Sequence, residues 1–314
     1  MTTPFQISVP ANEESYDEGA YLSGNPDIRA AVDAGKLASG KAHFDRFGFK
    51  EHRRMRFPVD AAREKKMRRI EPILRSDMEV VYSKGKPNFL TEHLRDEMRI
   101  ISTSNISSHG YDHAIHEALK DYPGELALDC GAGRRDLYFP DVVNFEIVDY
   151  DSTDVIGVGE ELPFIDNAFS VVISIAVLEH VRDPFRCASE LVRVLRPGGR
   201  LVCAMPFLQP VHGYPHHYFN ATPQGLARLF EDSLKIISRT IPDSLHPVRS
   251  LRWIIESWAN GLSGDTREKF LDRSVRSLLE APNEMLSQAF CQDLSLEKRE
   301  ELASGTLLIA TKPS

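Results

Sequence analysis

The sequence predicts an α/β protein whose larger part is a doubly wound, mostly parallel sheet with helices on both faces. Three observations carry this. Strand-like and helix-like segments alternate from residue 124 onward. The first of those strands, Glu125–Asp129, runs into Cys130-Gly131-Ala132-Gly133, a glycine turn at the carboxyl end of a strand, where ligands of open α/β sheets bind. And Asp183–Leu195 is amphipathic, with Ala188, Leu191, Val192 and Leu195 on one face, before Pro197-Gly198-Gly199 stops it.

Composition narrows the class further. The 314 residues suffice for two domains, and 42% hydrophobic residues exclude wholesale disorder. No run approaches the roughly 20 apolar residues of a membrane span, and the opening MTTPFQISVPANEESYDEG has neither a basic n-region nor an apolar core. Cys130, Cys187, Cys203 and Cys291 show no CxxC spacing, which speaks against a disulfide framework and a zinc ribbon. A net charge of −8 speaks against a dedicated nucleic-acid binder. The expectation is a soluble, cytoplasmic protein.

In chain order, residues 1–57 read as a small helical module. Asn25-Pro26-Asp27 is an N-cap, N1 proline and first-turn acid, and Ser39 caps a second helix, Gly40–Phe47. Tyr16, Tyr21, Ile28, Val32, Leu37, Phe44 and Phe47 supply its core. The run YLSGNPDIRAAVDAGKLASGKAHFDRFG resembles a short module of bacterial glycan-synthesis enzymes that often sits beside a transferase, which implies a docking role. Residues 58–121 read as a basic connecting helix and a lead-in segment. Positions 50–75 hold ten Lys/Arg against four acids, a local +6. The run suits either a solvated linker helix or a site for an anionic partner. Tyr111–Lys120 is expected to be helical.

Residues 122–314 make the main domain. After the first strand come Val142–Val148 and the β-branched Ala168–Ile175, then the helix ending at Leu195. Arg200–Met205 is a strand, Pro223–Phe230 a helix and Leu234–Thr240 another strand. A helical insertion spans about 241–304, and Gly305–Thr311 is expected to be the last strand. Two sequons, Asn105-Ile106-Ser107 and Asn220-Ala221-Thr222, carry no weight without a secretion signal.

Further elements sit at fitting separations from the glycine turn. Glu146 lies at the end of the second strand, where an acid accepts hydrogen bonds from ribose hydroxyls; Asp149 and Asp151 are rivals for that role. With LALDCGAG (126–133), EELPF (160–164), DNAFSVVISIAVLEHV (166–181) and ELVRVLRPGGRLV (190–202), the chain resembles the class I S-adenosylmethionine-dependent methyltransferases, in the branch called type 11 methyltransferase domains. The resemblance covers about 122–240. It implies a Rossmann-like, mostly parallel seven-stranded sheet with an antiparallel last strand, and S-adenosyl-L-methionine as cofactor. It further implies cofactor contacts from Asp129, Gly131 and Gly133 at the turn, Glu146 on the ribose, Glu161 and Leu162 of the LPF element, and Ile175 with Ala176. Tyr111 and His109 would close the pocket from the N-terminal side. Three positions depart from the family pattern: Arg135 replaces the third glycine, Val158 stands where an acid often precedes LPF, and Ser170 replaces the aspartate of an FD pair.

The loop after Arg200–Met205 carries His212, His216 and His217, three of eleven histidines, with Tyr214 and Tyr218. A histidine there titrates near neutrality and suits a general base on an acceptor hydroxyl. A divalent metal held by these histidines and a nearby acid, or a structural loop closing over the cofactor, are the competing readings. His180 of LEHV either lines the same site or caps a helix. The expected activity is methyl transfer to a small-molecule or glycan-type acceptor, at oxygen. The competing expectation is a methyltransferase-like binding or regulatory protein.

Overall fold

The computed structural model describes residues 4–48, 50–101, 107–108, 110–213 and 216–305. The central sheet is built from β1 (Val81–Ser83), β2 (Lys86–Asn88), β3 (Ala127–Cys130), β4 (Val142–Glu146), β5 (Val155–Ile156), β6 (Phe169–Ile175) and β7 (Leu195–Ala204), in the order β7-β6-β3-β4-β5-β2-β1. Every pair is parallel except β1–β2. The parallel strands therefore present their carboxyl ends on one edge, and Asp129, Glu146 and Ile175 reach that edge together.

Alternation along the strands divides the core into two layers. Ala127, Val142, Val171 and Ile173 pack under Ile115, Ala118 and Leu119 of α2 (His113–Lys120). Leu128, Val143 and Val172 face the other way, onto Met67 and Ile70 of α1 (Asp60–Ile70) and onto Cys187, Ala188, Leu191 and Val194 of α3 (Pro184–Val194). Asp183 caps α3 by accepting from the Arg186 amide, and Pro184 sits at the first helical position.

The expected mostly parallel, seven-stranded architecture is present, with differences in its edges. The antiparallel strand is β1, at the far edge and from the lead-in segment; the expected last strand, beyond Gly305, lies outside the described residues. Leu234–Thr240 forms no strand. Its Ile236 and Ile237 are 42% and 79% exposed, so its apolar pattern meets solvent and no sheet neighbour. In its place the sheet recruits β1, β2 and β5, two- and three-residue strands too short to announce themselves in sequence.

The N-terminal module packs Tyr21, Ile28, Phe44 and Met55 as its core, with Tyr16, Val32 and Leu37 half-buried around it, while Phe47 is exposed instead of internal. Asn25 is no side-chain cap; its amide donates to the Tyr21 and Arg54 carbonyls and ties the helix start to a short strand at Arg54–Arg56. Phe5–Gln6 pairs with Leu137–Tyr138 of the main domain, so the module is stitched to it by backbone.

The basic stretch is solvated only in part: Lys50, Arg54, Lys65 and Arg68 are exposed, while its deeper cations are paired inside the fold. Lys66 is wholly buried, its ammonium donating to Asp154 at 2.7 Å and the Val142 carbonyl at 2.6 Å over the Tyr138 ring. Arg56 pairs with Asp151 and Asp136, Arg63 lies 3.8 Å from Asp154, and Arg69 pairs with Asp141. Residues 241–304 are helical for the most part, led by α4 (Pro247–Asn260). Among the described residues no helix is long and apolar enough to cross a membrane.

Candidate functional site

The glycine turn at the end of β3 sets one half of the site. Gly131 and Gly133 hold φ of +79° and +63°, which side-chain-bearing residues rarely adopt. A Cβ on Gly131 would lie 2.3 Å from Val177, and one on Gly133 2.7 Å from the Ser107 carbonyl oxygen. The turn is thus clamped between the segment after β6 and the lead-in. Glu146, closing β4, accepts from the Gly133 and Ile147 amides at 2.8 Å each, and burial raises its carboxyl above the ordinary value. Each oxygen keeps acceptor capacity beyond those bonds.

Asp129 lies beneath the turn, fully buried. Its Oδ2 accepts from the Tyr111 hydroxyl at 2.7 Å and from the Arg135 guanidinium, which also lies 4.4 Å above the Tyr111 ring. Its Oδ1 has no hydrogen-bond partner. Burial pushes the Tyr111 phenol well up, with Asp129 adding to the effect, so Tyr111 remains a donor. Arg135, at the departure from the family pattern, is therefore an internal partner for the acid of the turn.

The other expected cofactor residues sort clearly. Asp149 is held by Lys86 at 2.5 Å and Asp151 by Arg56, which leaves Glu146 as the acid facing the turn. Ile175 ends β6, and Ala176 follows with φ of +55°, its amide donating to the Ala204 carbonyl. Leu162 is packed in the core with its amide on Glu190, and Glu161 pairs with Arg186 at 2.9 Å. His109 and Tyr214 lie outside the described residues.

Four residues past β6 the histidines gather. The rings of His180, His212 and His217 lie 4.4–5.5 Å apart, centre to centre. His216 is not among them: its Nε2 meets the Arg99 carbonyl, its ring packs on Tyr218, and only its backbone oxygen reaches His180. The hydrogen bonds assign the tautomers. His180 Nδ1 donates to the His216 carbonyl at 2.7 Å, and His212 Nδ1 to the Pro210 carbonyl at 2.8 Å. Both Nε2 atoms therefore present lone pairs. His217 accepts from the His212 amide on Nδ1 and donates from Nε2 to Asn220, so both of its nitrogens are committed.

Those two lone pairs converge on Glu179. Its Oε1 lies 3.8 Å from His180 Nε2 and 4.0 Å from His212 Nε2. The carboxyl is fully buried, neither oxygen has a hydrogen-bond partner among the described residues, and burial pushes it up to about 8. Burial also lowers both histidines. The loop is pinned on Glu179 by the Tyr218 amide bonding its carbonyl, and Trp253 of α4 covers His212 at 5.1 Å. Sequence reasoning missed Glu179; the available signal was an acid beside His180 directly after a sheet strand.

Comparison with known proteins bears on this edge of the sheet. Residues 130–203 match a family model described as a methyltransferase domain. An uncharacterized methyltransferase of Mycobacterium sp. (strain JLS) is 46% identical over 57 residues, 18% of this chain and 23% of that protein. One of Schizosaccharomyces pombe is 28% identical over 145 residues, 44% of this chain and 51% of that protein. The chain thus spans a quarter to a half of these relatives. Among solved structures, a Haemonchus contortus phosphoethanolamine N-methyltransferase 2 bound to S-adenosylhomocysteine shares 15% identity, covering 62% of this chain and 49% of that one. Its TM-score of 0.32 is too low to bear on function.

Proposed function

We propose that this chain moves the methyl group of S-adenosylmethionine to a small-molecule or glycan-type acceptor, at oxygen; the match of residues 130–203 to a methyltransferase-domain model supports the transfer. The observation that carries the reading is the pairing of a left-handed glycine turn with two acids: buried Asp129, with an open Oδ1, and half-buried Glu146, on the Gly133 amide. Those groups fit the cofactor. An unpartnered carboxylate oxygen suits its ammonium group, and the retained acceptor capacity of Glu146 suits ribose hydroxyls. Gly131, Gly133, Ile175 and Ala176 line the same edge and Tyr111 orients Asp129, whereas Leu162 is packed in the core and Glu161 is held by Arg186.

S-adenosylmethionine supplies an electrophilic methyl carbon on a sulfonium. The chain's own work is to orient the acceptor and take its proton. Of the four histidines proposed for that work, His212 and His180 offer a free Nε2, His217 positions His212, and His216 holds His180 through its backbone oxygen. Residues 1–57 serve as a docking module, 58–121 as the connecting segment and 122–314 as the transferase domain with its insertion at about 241–304. Four free cysteines support a reducing, cytoplasmic setting. An anionic partner at 50–75 would be left with exposed cations such as Lys50 and Lys65, the deeper ones being paired internally.

Calorimetry with S-adenosylmethionine and S-adenosylhomocysteine tests the reading. Binding of both is expected, and Glu146→Ala should weaken it by about 1.5–3 kcal/mol, the scale of hydrogen bonds to a charged group. A folded protein that binds neither ends the proposal. One observation favours a second reading, a binding protein without turnover: the Arg135–Asp129 ion pair occupies one oxygen of the acid beneath the turn. Cofactor binding without methylation of any acceptor in a glycan and small-molecule panel would favour it.

A further inference from the structure

We propose that Glu179, His180 and His212 form a binding site for one divalent transition metal of the zinc class. Three features of the cluster argue for it. The first is the donor set: one carboxylate oxygen and two imidazole nitrogens, all within 4.8 Å of one another. Tetrahedral zinc with bonds of about 2.0 Å sets its ligand atoms about 3.3 Å apart, so small side-chain rotations close the present gaps.

The second is orientation. Each histidine donates its Nδ1 proton to a backbone carbonyl, His216 for His180 and Pro210 for His212, which fixes the ring and leaves Nε2 as the ligand atom. This is the outer-shell arrangement that metal-ligating histidines use. The third is the acid. Glu179 is fully buried, faces the two Nε2 atoms, and has no hydrogen-bond donor on either oxygen among the described residues. Facing two lone pairs, the buried carboxyl must either hold a proton or share a cation, and a cation satisfies all three groups at once.

Nitrogen-rich ligands select zinc, cobalt or nickel over magnesium and calcium, which prefer oxygen. Three protein ligands leave an open position for water or an acceptor oxygen. The site also adjoins the cofactor edge: Val177 packs on Gly131, and Glu179 follows two residues later. It is argued from its own donors and stands whether or not the methyl-transfer reading holds. If it is filled, His212 is a ligand and not a base.

The test is Co²⁺ titration of the full chain after treatment with a chelator. Visible d–d absorption saturating at one ion per chain is expected, abolished by Zn²⁺ and unaffected by Mg²⁺. His212→Asn, on the partly exposed loop, and Glu179→Gln, close in shape to the original, should each weaken binding by at least about 100-fold, the upper end of what outer-shell changes alone cost. His43→Asn, in the N-terminal module, should leave it unchanged. A folded protein without Co²⁺ bands overturns the site and leaves a shared proton in its place. Bands that survive both ligand variants, or that Mg²⁺ removes as well as Zn²⁺ does, overturn it too. Loss of S-adenosylmethionine binding alone would end the transfer reading and leave the metal site intact.

Discussion

Lys66 and Glu179 are each buried completely, and the fold treats them in opposite ways. Under α1, Lys66 is drawn down to about 8 by burial, against the pull of Asp154, yet the fold meets its ammonium with a carboxylate, a carbonyl and an aromatic face. Asp154 is met in turn by Tyr138, the Asn144 amide and Arg63 nearby. Past β6, Glu179 is pushed up to about 8 by burial, against the pull of its own backbone amide, and the side chains it faces offer lone pairs. A buried charge with its counter-charge built in is an element of structure. A buried acid whose neighbours are all acceptors points to a partner from outside the chain.

Replacing each buried group by methionine, similar in length, tests that contrast. Lys66→Met should cost about 3–5 kcal/mol, because it leaves Asp154 buried without its main cation. The drop is read as a fall in the urea midpoint at constant slope. A loss within about 1 kcal/mol would mean that Arg63 alone neutralises Asp154, and the contrast with Glu179 would lose its force.

The next effect is smaller and depends on pH. Arg56 carries the module's contact with the main domain through Asp151, Asp136 and the Arg135 carbonyl. Burial alone would raise Asp151, but the Arg56 hydrogen bonds overcome it and hold the carboxyl below the ordinary 3.8. An acid depressed in the folded state gives stability that is complete above its unfolded value and is lost as pH falls through the folded one. Arg56→Met should therefore cost about 2 kcal/mol near neutrality, at the scale of hydrogen bonds to charged groups. Its urea midpoint should converge on that of the original chain below pH 3.8. A deficit that persists undiminished in acid would assign the loss to packing of the Arg56 stem instead.

These contacts also show where the sequence was legible. β6 and the glycine turn were readable because their signals are local: a β-branched run, and glycines at the end of a strand. The internal pairing of half the basic stretch has no local signal, because its partners are remote. Arg56 reaches Asp151 across 95 positions and Lys66 reaches Asp154 across 88, and no periodicity within 50–75 reports them. Leu234–Thr240 failed for the converse reason: its local pattern was strand-like, but no sheet edge receives it. Glu146, expected on the ribose, faces the turn, while Lys86 and Arg56 hold its rivals Asp149 and Asp151. The histidines were visible as a cluster, yet their geometry was not. His216 turns to the Arg99 carbonyl, and Glu179 enters as the Tyr218 and Phe219 amides bond its carbonyl.

Glu179→Met completes the comparison and carries the smallest expected change in stability. In metal-free protein the substitution removes no hydrogen bond, since neither carboxyl oxygen has one, and replaces a buried polar group by an apolar one of similar length. The urea midpoint should stay in place or rise by an amount worth about 1 kcal/mol, as when an unpartnered polar group gives way to hydrocarbon. With Zn²⁺ at 100 times its dissociation constant, the unsubstituted chain should gain about 2.7 kcal/mol and the variant nothing. The same substitution would then cost little without metal and much with it, the reverse of a structural residue. A metal-free loss as large as that of Lys66→Met would show that Glu179 has an internal partner after all. The two buried sites would then be of one kind.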